Sequence, residues 1–544
     1  MASVPVVQTH PGSFIPRRSP PVGLTLLAVA VTALLVLPVI YLGIRSFDAG
    51  TEAWQLLARP RIAAVIGRSL LLVVSVTVVA TALAVPIAWL LTRTNLPGRR
   101  VWTVVMVLPL VVPSFVYALV AGTALGPRGL VQRGLEAMFG VPELPSIYGF
   151  PGALLALALL TYPYILLPTM AALRRLDPAL EEVSRCLGRG PLRTFATVTL
   201  PALRPAIAAG ALLAALYTLS DFGAVSLLRF ETFTAAIFVQ YQSAFDRAAA
   251  AALSLVLVAA AIAIVALEAR SRGRSRYHAL GPGANREFRP TPLRRWRWPA
   301  LAGLSLVTFA TTVGPGAVLL YWLVRGLTAG EELLELVQPL VNSVGVSLLA
   351  AAILLVVAIP LGVLLVRYPS PMARVLERGS YVGFALPGIA VAIAFIFFGI
   401  NVARPIYQTL VLLLAAYVVL FLPTTLGAAR AGLLQVDPRT EEAARTLGKR
   451  PRQVLWRVTV PAVRGSLAAG AAMAFLLVMK ELPAALLLGP IGFRTLATVT
   501  WAAADEAFFA QAASSSLLLI VVASLPLAFI LARRGSTGIL RASG

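Results

Sequence analysis

Residues Glu441–Pro461 read EEAARTLGKRPRQVLWRVTVP, and residues Glu181–Pro201 read EEVSRCLGRGPLRTFATVTLP. Both are charged, turn-punctuated segments in a chain that is otherwise strongly apolar. They stand 260 residues apart, and the register runs beyond them: between residues 171–211 and 431–471, 19 of 41 positions are identical. The matches include Asp177/Asp437, Glu181/Glu441, Glu182/Glu442, Gly188/Gly448 and Pro201/Pro461. Further upstream the offset becomes 274, pairing Pro86 with Pro360, Arg93 with Arg367 and Pro113 with Pro387, because the first copy has a longer loop around residues 126–150. The chain therefore reads as two copies of one module in the same orientation. Parallel repeats imply a pseudo-two-fold axis along the membrane normal, with a pathway between the halves. The plainer alternative is that duplication only enlarges a bundle.

The medium is set by composition. Of 544 residues, 59% are hydrophobic and 12% charged, with mean hydropathy +0.87. Soluble domains carry roughly 25% charged residues. Apolar runs of about 20 residues match a bilayer core of roughly 30 Å, and within it only helices or closed barrels satisfy the backbone. Solid runs rather than alternation favour helices over a barrel. The expected fold is all-α and polytopic, with about twelve transmembrane helices in two tandem six-helix repeats. Among these spans are Val22–Ile44, Trp102–Leu125, Pro205–Leu228, Tyr381–Ile400 and Ser466–Leu488. The expected division is 1–269 and 299–544, joined by a basic Gly/Pro-containing linker at 270–298.

The net charge of +24 would suggest nucleic acid in a soluble protein. Here the positive-inside rule accounts for it. With the N-terminus cytoplasmic, 34 of 46 Lys and Arg fall in cytoplasmic segments, which predicts an even number of spans and both termini inside. The first apolar run is too long for a signal-peptide core and reads as an uncleaved helix behind Arg17 and Arg18. Cys186 is the single cysteine, and His10 and His278 are the two histidines, so neither a disulfide framework nor a His/Cys metal site is expected. No G-x-x-x-x-G-K-[ST] phosphate loop occurs, and no Ser/His/Asp arrangement can be built. The chain is not expected to be an enzyme or to bind a cofactor.

Each charged segment has its own local logic. Asp437 is a capping residue with Pro438 in the first helical turn, and Glu441 and Glu442 lie near the positive end of the helix. Ala443, Ala444 and Leu447 favour a helix, Gly448 fits its stop, Pro451 opens a second short helix, and Pro461 starts the return into the membrane. The other copy has the same punctuation at Asp177, Gly188, Pro191 and Pro201. One such segment is consistent with an interfacial helix carrying solvated charge. Two with matched spacing suggest a docking surface used twice.

Here the residues resemble a family. Glu442-Ala443-Ala444, then Gly448, then Val458-Thr459-Val460-Pro461 is similar to the signature loop of ABC importer permeases. The first copy departs from it at Val183 and Ser184, and both copies have Val for Ile. The resemblance implies a coupling helix in each half that inserts into an ATP-binding subunit, with Glu182 and Glu442 pairing with its basic groups. ATP and magnesium would then lie on two copies of that partner, and an extracytoplasmic solute-binding protein would deliver the substrate. The stretches at 174–182, 215–241 and 478–501 resemble the fused two-half permeases of ferric-iron importers. Thiamine permeases share the fused layout, and polyamine, sulfate and phosphonate systems share the six-span module. An ion-coupled secondary transporter and a non-transporting scaffold are the competing classes, and a secondary transporter leaves the paired loops unexplained.

Asp221 and Glu481 lie near membrane depth, 260 residues apart and so at the same repeat position. On a pseudo-two-fold they would face each other or flank one axis. A charge at mid-bilayer costs on the order of 3 kcal/mol, so such residues usually line a cavity. The pathway expectation therefore rests on Asp221, Lys480 and Glu481. The alternative is structural: Lys480 neutralises its neighbour, and Gly223 and Pro483 place both acids in helix breaks. Tyr162, Pro163 and Tyr164, matched in part by Pro423, read as a kink with packing aromatics.

Overall fold

The computed structural model describes residues 20–48, 55, 59–140, 143–242, 247–271, 290–332, 335–370, 372–373, 376, 379 and 386–539. Arg17, Arg18, His10, His278 and linker residues 272–289 lie outside the described residues. Among the described residues eleven helical stretches are long and apolar enough to cross a membrane, and a shorter apolar helix spans Gly388–Asn401. That shorter helix falls in the expected span Tyr381–Ile400, whose first five residues are outside the described set. Among the described residues one isolated β-bridge pairs Thr94 with Thr291.

Three expected spans are broken rather than continuous. Trp102–Leu125 resolves into a helix Arg99–Val105, a short turn Leu108–Leu110 and a helix Ser114–Leu125. Pro109 and Pro113 lack the N–H that would carry the ladder through. Pro205–Leu228 ends as a helix at Ser220, turns at Asp221 and restarts as Gly223–Leu227. Ser466–Leu488 does the same, ending at Met479 and restarting as Pro483–Leu488.

The same three-helix packing occurs twice. Pro60–Arg93, Phe150–Arg175 and Leu200–Ser220 pack on one another, as do Val337–Arg367, Leu410–Leu433 and Val460–Met479. Close approach inside each set uses a matched glycine. A Cβ on Gly210 would sit 2.6 Å from the Ile165 Cα, and one on Gly470 would sit 2.9 Å from the Ala428 Cβ. Lipid-embedded helices gain little from apolar transfer, so small residues that let backbones approach supply the packing. The sets also exchange helices. Val22–Asp48 packs on Gly388–Asn401, and Gly314–Thr328 packs on Ser114–Leu125. The Tyr117 hydroxyl donates to the Ala310 carbonyl at 2.8 Å, which satisfies a buried phenol across that contact.

Candidate functional site

The two charged segments fold alike. The Asp177 carboxylate accepts from the Ala179 N–H, and the Asp437 carboxylate from the Arg439 N–H, both at 2.9 Å. They cap the helices Pro178–Cys186 and Pro438–Thr446. Gly188 (φ +79°) and Gly448 (φ +80°) end them in the left-handed region that only glycine enters without cost. The Arg189 N–H then donates to the Ser184 carbonyl, and the Lys449 N–H to the Ala444 carbonyl, both at 3.2 Å. Each loop climbs back through a single π-helical turn, Phe195–Thr199 or Leu455–Thr459, before the next long helix.

Those π turns aim a threonine at a buried acid. The Thr199 hydroxyl donates to Glu181 at 2.9 Å, and the Thr459 hydroxyl to Glu441 at 3.0 Å. An arginine at the end of the preceding long helix completes each set. Arg367 Nη2 lies 3.1 Å from Glu441 and also donates to the Val436 carbonyl at 3.1 Å. Arg93 Nε lies 3.9 Å from Glu181, and its Nη2 donates to the Leu176 carbonyl at 3.0 Å. Both glutamates are buried. A buried carboxylate is stable only when paired and hydrogen-bonded, and here it fastens the loop to the long helix. Glu182, Glu442 and Ala443 are exposed, whereas Ala444 is buried in the loop. Beside them Leu187 is 74% exposed and Leu447 is 80% exposed, so apolar side chains protrude where the helix turns. Pro201 and Pro461 occupy the first turn of the returning helices.

The second arrangement is a cavity of about 470 Å3 between the two helix sets. Asp221, Lys480 and Glu481 line it with Ser114, Tyr164 and Tyr217. Each acid caps the short helix after its own break. Asp221 Oδ1 accepts from the Ala224 N–H at 2.9 Å, and Glu481 Oε1 from the Ala484 N–H at 3.2 Å. The Lys480 ammonium donates to the Leu110 carbonyl at 3.0 Å and sits 5.6 Å from the Tyr217 ring centroid. Tyr217 in turn lies against Tyr164, with centroids 5.6 Å apart. A Cβ on Gly388 would lie 2.5 Å from Glu481 Oε1, so the absent side chain is what admits the carboxylate.

A known family matches this architecture twice. The chain matches the binding-protein-dependent transport system inner membrane component family over residues 80–272 and 358–534. The chain belongs to this family. The permease is 35% identical to the Fe(3+)-transport system permease protein FbpB 2 of Haemophilus influenzae, over 95% of its own length and 99% of that protein. It is 24% identical to the ferric transport system permease protein FbpB of Actinobacillus pleuropneumoniae, over 80% of its length and 66% of that protein. A shorter match, 36% identical, covers 25% of the permease and 58% of the molybdenum transport system permease protein ModB of Escherichia coli K12. The expected resemblance to fused two-half importer permeases therefore holds, and so does the all-α polytopic fold.

Asp221, Lys480 and Glu481 come together in the permease, and the two loops stand in matching positions. Glu181 and Glu441, expected with the neighbouring acids as part of the coupling loops, turn inward to Arg93 and Arg367. The repeat offsets pair Arg93 with Arg367 and also Thr199 with Thr459, and that matched set is the signal for the inward contact. Lys480 reaches across to Leu110 and Tyr217 while its charge remains beside Glu481. Ser114, Gly388 and Tyr217 were not singled out. Ser114 and Gly388 share a repeat position, each directly after a proline, Pro113 or Pro387. Tyr162 packs as expected, its hydroxyl donating to the Met106 carbonyl at 2.8 Å, whereas Tyr164 lines the cavity.

Proposed function

We propose that this permease carries ferric iron, taking it from an extracytoplasmic solute-binding protein and releasing it to the cytoplasm by alternating access. The observation that carries the reading is the cavity in which Asp221 and Glu481, from matching repeat positions, stand with Lys480 between the two helix sets. Carboxylate oxygens suit a hard cation. Two of them, with an ammonium nearby, make a weak site, and passage requires binding loose enough to release. The likeness to an iron(III) permease across 95% of the chain supports the same substrate.

In this reading residues 1–269 and 299–544 are the two halves, linked through 270–298, with both termini in the cytoplasm. Each half presents one loop to one ATP-binding subunit, and that pair of subunits holds ATP and magnesium. Asp177, Gly188, Asp437 and Gly448 shape the loops, and Glu182 and Glu442 face the partner. Leu187 and Leu447 fit apolar recesses beside those contacts. Closure of the ATP-binding pair moves the loops, and the buried Glu181–Arg93 and Glu441–Arg367 contacts carry that motion into the long helices. The halves then rock about the cavity, which faces one side of the membrane at a time.

A second reading, an oxyanion importer, draws on Lys480 and on the 36% local identity to a molybdenum permease. The two carboxylates in the cavity count against it. Proteoliposomes holding the permease, its ATP-binding subunit and its binding protein separate these readings. Labelled ferric iron, molybdate and thiamine are offered in parallel, with and without internal ATP. The iron reading expects ATP-dependent iron entry that is lost when Glu182 and Glu442 are both changed to alanine. Entry of molybdate or thiamine instead would replace the substrate and keep the coupling scheme. Entry without ATP would point to an ion-coupled transporter.

A further inference from the structure

Two basic, aromatic segments that are distant in sequence meet at the end of the helix Pro60–Arg93. The Thr291 N–H donates to the Arg93 carbonyl at 2.9 Å, and the Asn95 N–H donates to the Thr291 carbonyl at 3.2 Å. The Asn95 side-chain carbonyl then accepts from the Leu293 N–H at 2.9 Å, across 198 residues of sequence. Beneath these bonds Trp102, Leu293 and Leu301 pack on one apolar cluster containing Leu91, Leu96 and Leu304. This clamp brings the segment that leads into Arg99 and Arg100, at the start of one short helix, to the segment that leads into Arg294, Arg295 and Arg297, at the start of another. All five arginines are exposed, and Trp296 and Trp298 are each 65% exposed. The Arg297 guanidinium lies over the Trp298 ring, 5.1 Å from its centroid.

No acidic residue occurs in 53–135 or in 288–330. Glu181, the acid paired with Arg93 beside the clamp, is buried and turned toward Arg93 and Thr199. Among the described residues none of the five arginines forms an ion pair with a carboxylate, so the cluster presents unneutralised cationic charge. Both segments open helices that enter the apolar region, one leading through Leu108–Leu110 to Ser114–Leu125 and the other through Arg297–Thr308 to Gly314–Thr328. Exposed indoles at such a level favour the headgroup layer, and planar guanidinium groups match phosphate oxygens two at a time.

We propose that Arg99, Arg100, Arg294, Arg295 and Arg297, with Trp296 and Trp298, form a binding site for the headgroup of an anionic phospholipid. The site is built by the clamp and not by either segment alone. It also adjoins the first charged loop, because Arg93 accepts from Thr291 through its carbonyl and donates to the Leu176 carbonyl through its guanidinium. The proposal does not depend on which substrate is carried.

The test uses the full purified chain, extracted from vesicles of equal phosphatidylglycerol and phosphatidylcholine and weighed intact by native mass spectrometry. Phosphatidylglycerol is expected to be retained over phosphatidylcholine. Each arginine near an anionic surface contributes about fivefold, so Arg294→Gln/Arg295→Gln/Arg297→Gln should lower that preference by well over tenfold. Arg99→Gln/Arg100→Gln should lower it by more than tenfold on the same reasoning, and it carries the test if the triple variant does not fold. Arg185→Gln/Arg439→Gln, which removes one exposed arginine from each charged loop, should leave the preference unchanged. An unchanged preference in the folded cluster variants overturns the proposal. An equal loss in the loop variant also overturns it, since general charge would then be the cause. Displacement of the lipid by millimolar inorganic phosphate would reassign the site to a soluble anion.

Discussion

The Lys480 ammonium donates to the Leu110 carbonyl at 3.0 Å, joining residues 370 positions apart across the cavity. Its tether sits at the break after Val460–Met479, and its acceptor belongs to the short turn before Ser114–Leu125. A contact that bridges the two helix sets must change when they move against each other.

Lys480→Met removes this bridge and leaves Asp221 and Glu481 without a neighbouring cation. A hydrogen bond from a charged group is worth about 1.5–3 kcal/mol, so uptake in proteoliposomes should fall by about tenfold or more. Lys480→Arg keeps the charge and should retain part of the rate. Full uptake in the methionine variant would sink the idea that the bridge takes part in transport.

Asp221→Asn combined with Glu481→Gln keeps the shape and most capping bonds while removing both negative charges. If the carboxylates meet the cargo, iron uptake should fall at least tenfold, about 1.4 kcal/mol of lost interaction, while assembly with the ATP-binding subunits persists. Unaltered rate and selectivity in an assembled complex would leave the acids with a capping role alone.

Glu441 is buried against Arg367 and Thr459, with Arg445 Nη2 a further 3.8 Å contact, so removing Arg367 leaves the carboxylate only a longer, partly exposed cation. Arg367→Met should cost about 3 kcal/mol, the low end of the penalty for breaking a buried pair, because Arg445 still faces Glu441. Arg367→Met combined with Glu441→Leu should recover much of it, because a buried pair exchanged for apolar groups is often close to neutral. Thermal unfolding of the detergent-purified chain reads both. Additive losses in the double variant would argue against a direct pair.

Gly388 leaves the space that Glu481 occupies, since a Cβ there would lie 2.5 Å from the carboxylate. Gly388→Ala should cost about 1–3 kcal/mol through overpacking and should lower uptake as well. Gly448→Ala meets no neighbour and suffers only backbone strain of about 1 kcal/mol. Comparing melting temperatures and uptake rates separates the two. Equal behaviour would mean that the space at Gly388 has no special use.

Much of this molecule was legible along the chain. Hydrophobic run length dictates membrane-crossing helices, and the offsets of 260 and 274 reveal the duplication. Caps and stops at Asp177, Gly188, Asp437 and Gly448 were readable because helix termini are governed by residues within a turn. The breaks after Ser220 and Met479 were foreshadowed by Gly223 and Pro483 for the same reason. The direction of Glu181 and Glu441 was not legible. Adjacent helical residues point about 100° apart, and only the packed neighbours decide which of two successive glutamates turns inward.

What the sequence determined by itself was therefore periodic or local: the all-helical membrane fold, the two matched loops, the two acids at one repeat position with Lys480 adjoining the second, and the family. What the tertiary structure decided was the direct contacts across long stretches of chain. Lys480 reaches Leu110, Arg367 closes on Glu441, Gly388 makes room for Glu481, and Thr291 clamps residues 93–95. Their pairing depends on how helices stack in three dimensions. Residue spacing gives the repeat symmetry of that stacking but not which side chains meet across it.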